Sequence, residues 1–486
     1  MVDRWEDSGR WRWFLPTLLL ATAAAKLALA WLLPGFLTGD DLEIVETAAK
    51  YAAGLDYTPS AIRSFFHPLV LAWPAVRLGV LAGLGGPRWL TFLAALPTIA
   101  FSTAGIWILY RLARTLGWSP AESRAAAWLY ALHWLPLGFG ATSFPRPIST
   151  CLLLAAFLLI AEARGGTDAG ALAAGALAAA ATAVRWSEGV ALAPLLGFAA
   201  SRTRRLRPVV LALAGFGAAF ALCAGLLDAW TWGRPFASLA AFIRLARDPN
   251  LGGFQPRPAL WYATMALQWA GPVLLGLAAW SWPDRRSRAP LAIALSVVVL
   301  ESLSPVKQMR YLQAAVPFLA LAGALGWERL RGQGASGRRL AAAALAVSVV
   351  VGLERTAHLL RGKSEAALAA AKTIAAAAPP ARRVTLEQGW AYGDRLYLGN
   401  SVEIRDLAPR RPLDAESVRA AAAGSDAVAL YAADVDAEVE RALAISGFRI
   451  CARFERLRSP AVVLSLPASR PCPAGPPDLS RASPRR

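Results

Sequence analysis

Residues 13–49 read "WFLPTLLLATAAAKLALAWLLPGFLTGDDLEIVETAA", and the reading of this stretch decides the fold. From Trp13 to Phe36 only Lys26 carries a charge, and the run is long enough to cross a bilayer core of about 30 Å. Behind it come four acids in quick succession, Asp40, Asp41, Glu43 and Glu46. The charged front "MVDRWEDSGRWRW" admits a signal peptide as the rival reading. The apolar stretch is longer than a usual signal core and lacks a small-residue cleavage site, so a retained anchor is preferred.

The rest of the chain has the same character. Hydrophobic residues make up 56% of the 486 positions and charged residues 17%, which excludes an ordinary soluble enzyme and points to a polytopic membrane protein. Further apolar runs fall near 67–84, 89–110, 124–140, 148–163, 168–183, 188–200, 208–227, 260–281, 289–303, 311–327 and 340–358. The net charge of +19 sits largely in short arginine-rich gaps between them, such as "SRTRRLRP" (Ser201–Pro208), "PDRRSR" (Pro283–Arg288) and "ERLRGQGASGRR" (Glu328–Arg339). Arginines so placed orient a membrane protein rather than bind nucleic acid. These gaps are expected on the cytoplasmic side, with 228–259, 304–310 and everything after about 358 on the other. The first outer loop, 36–66, joins that side if the N-terminus is cytoplasmic.

Arg111, Arg114 and Arg124 also want the 111–124 gap inside. That parity requires one preceding segment not to cross, and 67–84, with Pro74 and Arg77 in its middle, is the weakest. The expected fold class is thus a mainly α polytopic membrane protein of about eleven spans over 1–358. A small extracytoplasmic α/β domain follows over 359–470. Its strands are expected in "RRVTLEQGW", "SVEIRDL", "DAVALYAADV", "FRICARFERL" and "AVVLSLP". The Pro-rich tail, 471–486, is expected to be disordered. Cys151 and Cys223 read as small core residues, whereas Cys451 and Cys472 suit a disulfide as well as two free thiols.

Several polar groups gather on the expected outer side. Asp40 and Asp41 read either as caps of a helix from about Leu42 to Gly54 or as a general base or ligands of a divalent ion. Arg63 lies in "YTPSAIRSFFHP" (Tyr57–Pro68) and Arg146 in "TSFPRPIST" (Thr142–Thr150). Arg185 and Glu188 interrupt an apolar stretch and read as a structural ion pair. Lys307 and Arg310 lie outside against the positive-inside preference, which suits an anion such as phosphate. For each cation taken singly, a side chain snorkelling to the interface is the competing reading.

The order of these segments resembles glycosyltransferase family 22, the GT-C enzymes that include the mannosyltransferases of N-glycan and GPI-anchor assembly. "TGDDLEIVETAA" stands where that family has an HPDE-like motif, with Asp40 and Asp41 at the acidic pair and Glu46 at a later acid. "DYTPSAIRSFFHP" matches its second stretch through Arg63 and Ser64. "RPIST" at Arg146, "DAWTWGRP" at Asp228–Pro235 and "VKQMRYLQAAVP", with Lys307, Arg310 and Tyr311, match later ones. The departures are Thr38 and Gly39 in place of His and Pro, a gap to Glu46 one residue shorter, and the loss of the His and both acids ahead of Arg310.

This resemblance implies an inverting transferase of the GT-C fold in a bacterial inner membrane, with its active site on the periplasmic face. A polyprenyl-phosphate sugar, mannose by preference, is the implied donor, and a glycan, lipid or protein the acceptor. Asp40 or Asp41 is implied as the base. Glu46, Arg63, Arg146, Lys307, Arg310 and Tyr311 are implied in substrate binding, and Trp230, Trp232 and Trp261 in stacking on sugar faces or in interfacial anchoring. A divalent cation is a possible cofactor, its ligands unknown. A lipid or solute transporter, or a GT-C relative that binds without catalysing, are the alternatives.

Overall fold

The computed structural model describes residues 12–33, 35–162, 168–248, 256–377, 379–407, 413–456 and 459–472. The expectation of a disordered tail over 471–486 lies, beyond Cys472, outside the described residues. The chain is mostly helical and divides into two compact units, each discontinuous in sequence. One takes residues 1–30, 59–74 and 94–357, the other 31–58, 75–93 and 358–486.

Among the described residues four helices are long and apolar enough to cross a membrane: Phe14–Leu32, Pro87–Thr115, Arg207–Trp232 and Gly334–Ala375. Eleven crossings would need shorter helices as well. Asp168–Val184 is one such helix, while the segment expected not to cross forms the other shorter apolar helix, Phe66–Leu81, a π-helical start over Phe66–Ala72 running into Trp73–Leu81.

In the first unit several helices run back and forth between two ends. One end collects the arginine-rich gaps. Glu162, at the end of the Arg146–Glu162 helix, pairs with Arg111 near the end of Pro87–Thr115 (2.9 Å). Glu122, in the first turn of Pro120–Ala131, pairs with Arg286 (2.9 Å) and also closes a capping box with Ser119. The gaps 111–124 and 283–288 therefore share one end, as their arginines demand. From there the Arg288–Ser302 helix runs to the opposite end, and Val316–Arg331 returns over about 24 Å. Close packing depends on glycine where backbones touch. A Cβ at Gly175 would lie 1.9 Å from the Ala212 carbonyl oxygen, and one at Gly215 2.1 Å from that of Leu172. Such contacts let the Asp168–Val184 and Arg207–Phe220 helices approach as small residues permit in lipid.

The second unit contains a five-stranded sheet, and all five expected strands are present: β1 (Arg383–Glu387), β2 (Glu403–Leu407), β3 (Ala427–Tyr431), β4 (Phe448–Arg456) and β5 (Ser459–Pro467). Their order is β2-β1-β3-β5-β4, with β1 parallel to β2 and β3, and β5 antiparallel to β3 and β4. The alternation of β3 builds two cores. Ala427, Ala429 and Tyr431 join Ala366, Ala370 and Ile374 of the Glu365–Ala375 helix on one face. Val428 and Leu430 join Val418, Val439 and Leu443 on the other. Cys451 of β4 and Cys472 are joined in a disulfide, while Cys151 and Cys223 are free. Thiol labelling of the denatured, unreduced protein is therefore expected to find two reactive cysteines, rising to four after reduction; four before reduction would refute the bridge.

Candidate functional site

In the first unit Arg146 opens its helix and is completely buried. Its Nη1 donates to Glu188 Oε1 (3.1 Å), Glu301 Oε1 (3.4 Å) and the Tyr311 carbonyl (2.7 Å), and its Nη2 donates to Ser187 Oγ (2.7 Å). Ser149, one helical turn on, donates to Glu188 Oε1 (3.1 Å). The guanidinium also lies 4.3 Å from the Tyr311 ring centroid. Two buried carboxyl groups face one buried guanidinium here, and further charged groups stand beside them. Those neighbours are cations. Arg185 reaches the Tyr311 hydroxyl (3.5 Å) and stands 5.4 Å from its ring, and Arg310 stands 5.9 Å from the same ring and 5.2 Å from Phe144. Three arginines thus surround Tyr311.

Lys307 extends this group along the next loop. Its Nζ donates to the carbonyls of Arg257 (3.1 Å) and Ser304. The Tyr262 hydroxyl donates to the Gln308 carbonyl and accepts from the Gln308 amide, both at 3.2 Å, stitching the two loops together. Carbonyl partners fix the ammonium without neutralising it.

The other expected binding residues of this unit are placed by backbone contacts. The indoles of Trp186 and Trp232 donate to the carbonyls of Ile62 (3.0 Å) and Arg63 (3.2 Å), which fixes the segment carrying Arg63. Trp232 further packs edge-on against Phe65 at 5.3 Å, whereas Trp230 is 70% exposed. Glu188, expected as the partner of Arg185, lies within its electrostatic reach and also binds Arg146. Glu301 and Ser187 were not anticipated as partners of Arg146. The available signal was Glu301 as a lone acid closing an apolar run, a residue that needs a partner.

The acids of the first outer loop belong to the second unit. The helix Gly39–Ala53 is capped by Thr38, whose side chain accepts from the Asp41 amide (3.4 Å), in place of the expected cap by the aspartates themselves. Asp41 completes the cap in reverse. Its carboxylate accepts from the Leu37 amide (2.9 Å) and from the Thr38 hydroxyl. The left-handed Gly54 ends the helix. Asp40 occupies the first turn, where the positive end of the helix favours a carboxylate, and is 8% exposed against 1% for Asp41. Lys363, bonded to the Leu33 carbonyl (2.6 Å), acts electrostatically on Asp41. Ser364 exchanges two hydrogen bonds with Phe36, both 3.1 Å.

Glu46 is fully buried, and its Oε1 accepts from the Leu396 amide (3.0 Å) at the Asp394–Leu398 helical turn. Burial, then the charge of Asp394, holds the Glu46 carboxyl well above its ordinary range. Asp394 and Asp406 are raised as well, again chiefly by burial. Among the described residues no group of three or more His, Cys, Asp or Glu side chains is arranged to hold a metal ion.

The family model described as the Alg9-like mannosyltransferase family matches residues 53–383. That span covers the Arg146 network and begins after the acidic pair. None of the curated proteins matches. Among solved structures, ArnT from Cupriavidus metallidurans bound to undecaprenyl phosphate is 12% identical, with 92% of this chain and 97% of that one covered at a TM-score of 0.57. The Archaeoglobus fulgidus oligosaccharyltransferase tethered with an acceptor peptide is 12% identical, with 87% and 70% covered at 0.53. The arabinofuranosyltransferase AftD from Mycobacteria is 20% identical, with 94% and 40% covered at 0.53. At such identities the likeness speaks to fold alone, and it is a fold shared with these glycosyltransferases.

Two outcomes are expected of the geometry itself. Arg146→Met strands two buried carboxylates and is expected to cost about 3–5 kcal/mol, read as a large fall in thermal midpoint; an unchanged midpoint would contradict the network. For Glu46 the sign follows from its raised pKa. An acid harder to ionise folded than unfolded contributes stability that is complete below its unfolded pKa and lost as pH rises through the folded one. The thermal midpoint is therefore expected to fall from pH 5 to pH 8, and Glu46→Gln, which mimics the neutral acid, to flatten that fall.

Proposed function

The chain belongs to the Alg9-like mannosyltransferase family, and on that footing we propose that it transfers mannose, with inversion, from a polyprenyl-phosphate donor to an acceptor hydroxyl at the extracytoplasmic face. The observation that carries this reading is the gathering of Arg185 and Arg310 about Tyr311, with Lys307 three residues before Arg310. Planar guanidiniums and an ammonium suit a phosphate that gains negative charge as it leaves. The structure of ArnT with undecaprenyl phosphate, and that of the Archaeoglobus fulgidus enzyme AglB with a dolichol-phosphate, concern proteins of the same fold with the same class of lipid.

In this mechanism Asp40 takes the proton of the acceptor hydroxyl. The acceptor oxygen attacks the anomeric carbon from the side opposite the phosphate, the bond from that carbon to the phosphate oxygen breaks, and the polyprenyl phosphate departs with the electron pair. Asp40 is favoured over Asp41 because it keeps more contact with solvent at the mouth of the helix, 8% exposed against 1%. Arg146 acts as a positioning residue. Its guanidinium is engaged by Glu188, Glu301, Ser187 and the Tyr311 carbonyl, so it holds Tyr311 beneath Arg185 and Arg310 instead of contacting the donor. Two observations favour the extracytoplasmic face. The arginine-rich gaps lie at the end of the first unit opposite the Arg146 network, as the positive-inside rule wants. The Cys451–Cys472 disulfide belongs to an oxidising compartment.

Asp40→Asn is expected to lower kcat by a factor on the order of 10²–10⁴ in purified protein supplied with polyprenyl-phosphate mannose, with expression intact. Asp41→Asn is expected to cost about 1 kcal/mol of stability and far less rate. Arg310→Ala is expected to raise the KM for the donor. Wild-type turnover by the Asp40 variant would overturn the assignment of the base, and transfer from a nucleotide sugar instead would overturn the donor.

A further inference from the structure

A cavity opens in the first unit at the arginine-rich end, away from the Arg146 network. Its volume is about 590 Å³, within the range of small-molecule sites. Arg124, in the Pro120–Ala131 helix, and Arg331, at the end of Val316–Arg331, line it together with Trp128, Trp327 and Phe14. Among the described residues that line it, those two arginines are the only charged side chains. Arg331 is held in place, its Nε and Nη2 donating to Glu328 at 2.9 and 2.6 Å and its guanidinium 5.4 Å from the Trp327 ring. The remaining wall is apolar, formed by Ala121 and Ala125 of Pro120–Ala131 and by Leu345, Ala346 and Val349 of the Gly334–Arg361 helix. That helix carries large exposed apolar side chains nearby: Leu340, Val347, Val350 and Leu353 are 58, 45, 66 and 52% exposed.

Two guanidiniums, interfacial indoles and a greasy wall that continues into a lipid-facing stripe describe one kind of ligand, an anion with an attached hydrocarbon chain. We propose that this cavity binds an anionic phospholipid, its phosphate at Arg124 and Arg331, its glycerol between Trp128 and Trp327, and an acyl chain along the Gly334–Arg361 helix. Charge complementarity selects the occupant. The neighbouring gaps bring further arginines, Arg285, Arg286, Arg329, Arg338 and Arg339, to the same end of the unit, and each cation near a membrane surface adds attraction for an anionic headgroup. A zwitterionic lipid gains little from that field.

Native mass spectrometry of the full chain in mild detergent, titrated with phosphatidylglycerol, phosphatidylcholine or polyprenyl phosphate, tests this. The expected result is retained phosphatidylglycerol, with phosphatidylcholine bound at least about tenfold more weakly. Each arginine removed, as Arg124→Gln or Arg331→Gln, is expected to weaken phosphatidylglycerol about fivefold. Ala346→Trp fills the cavity without touching a charge and is expected to abolish the adduct, which keeps the test decisive should an arginine variant fail to fold. Equal binding of the two phospholipids, or undiminished phosphatidylglycerol on the double arginine variant or on Ala346→Trp, would overturn the site. Polyprenyl phosphate displacing phosphatidylglycerol at a tenth of its concentration would overturn the choice of occupant.

Discussion

A fully buried guanidinium must be neutralised and hydrogen-bonded where it stands, and Arg146 meets that demand by drawing in partners from three segments of the chain. Glu188 and Ser187 come from the break after the Asp168–Val184 helix, Glu301 from the end of Arg288–Ser302, and the Tyr311 carbonyl from the turn before Val316–Arg331. Replacing such a cluster with apolar side chains often costs nothing in stability, but removing one member is expensive. Its value is in specifying an arrangement. The helix ends meet so that Arg146 reaches both carboxyl groups, and that arrangement leaves Tyr311 beside Arg185 and Arg310. The reading of a phosphate site depends on this arrangement.

The second unit solves a different problem. Its helix Gly39–Ala53 is acid-rich and yet almost wholly buried, so each acid needs a reason. Asp41 is absorbed by the cap and Glu46 by the Asp394–Leu398 turn, with burial favouring its neutral form. Tethers at both ends hold the helix to the C-terminal residues of the same unit: Phe36 to Ser364, and Gly54 and Asp56 to Asn400. In the proposed reaction a carboxylate in the first turn of a helix so firmly held would need little reorganisation when the charge moves.

Much of this was legible in the sequence. Short apolar stretches such as "AVALY" and "VVLSL" marked strands, and arginine-rich gaps marked one end of the helices. Lys307 and Arg310 stood out because they broke the positive-inside preference. Partnerships were much less legible. Spacing paired Glu188 with Arg185, only three residues away, and the fold adds Arg146 from 42 residues away. The aspartates were read as caps, but the hydroxyl of Thr38 does the capping and Asp41 answers it from three residues on. Cys451 and Cys472 were as readily free as bridged until β4 and the chain after β5 came together.

From the sequence alone came the lipid-compatible runs, the polarity of their ends, the five strands and the motifs that resemble glycosyltransferase family 22. All of these are local or compositional, set by hydrophobic period, turn chemistry and short-range spacing. Only the tertiary structure decided which charges neutralise one another, which acid is occupied by a helix cap, and where two arginines and two tryptophans enclose a cavity. Burial is a property of the whole fold. The free energy of a charge depends on how much water has been removed around it and on what has been brought within about 4 Å, and a one-dimensional reading contains neither quantity.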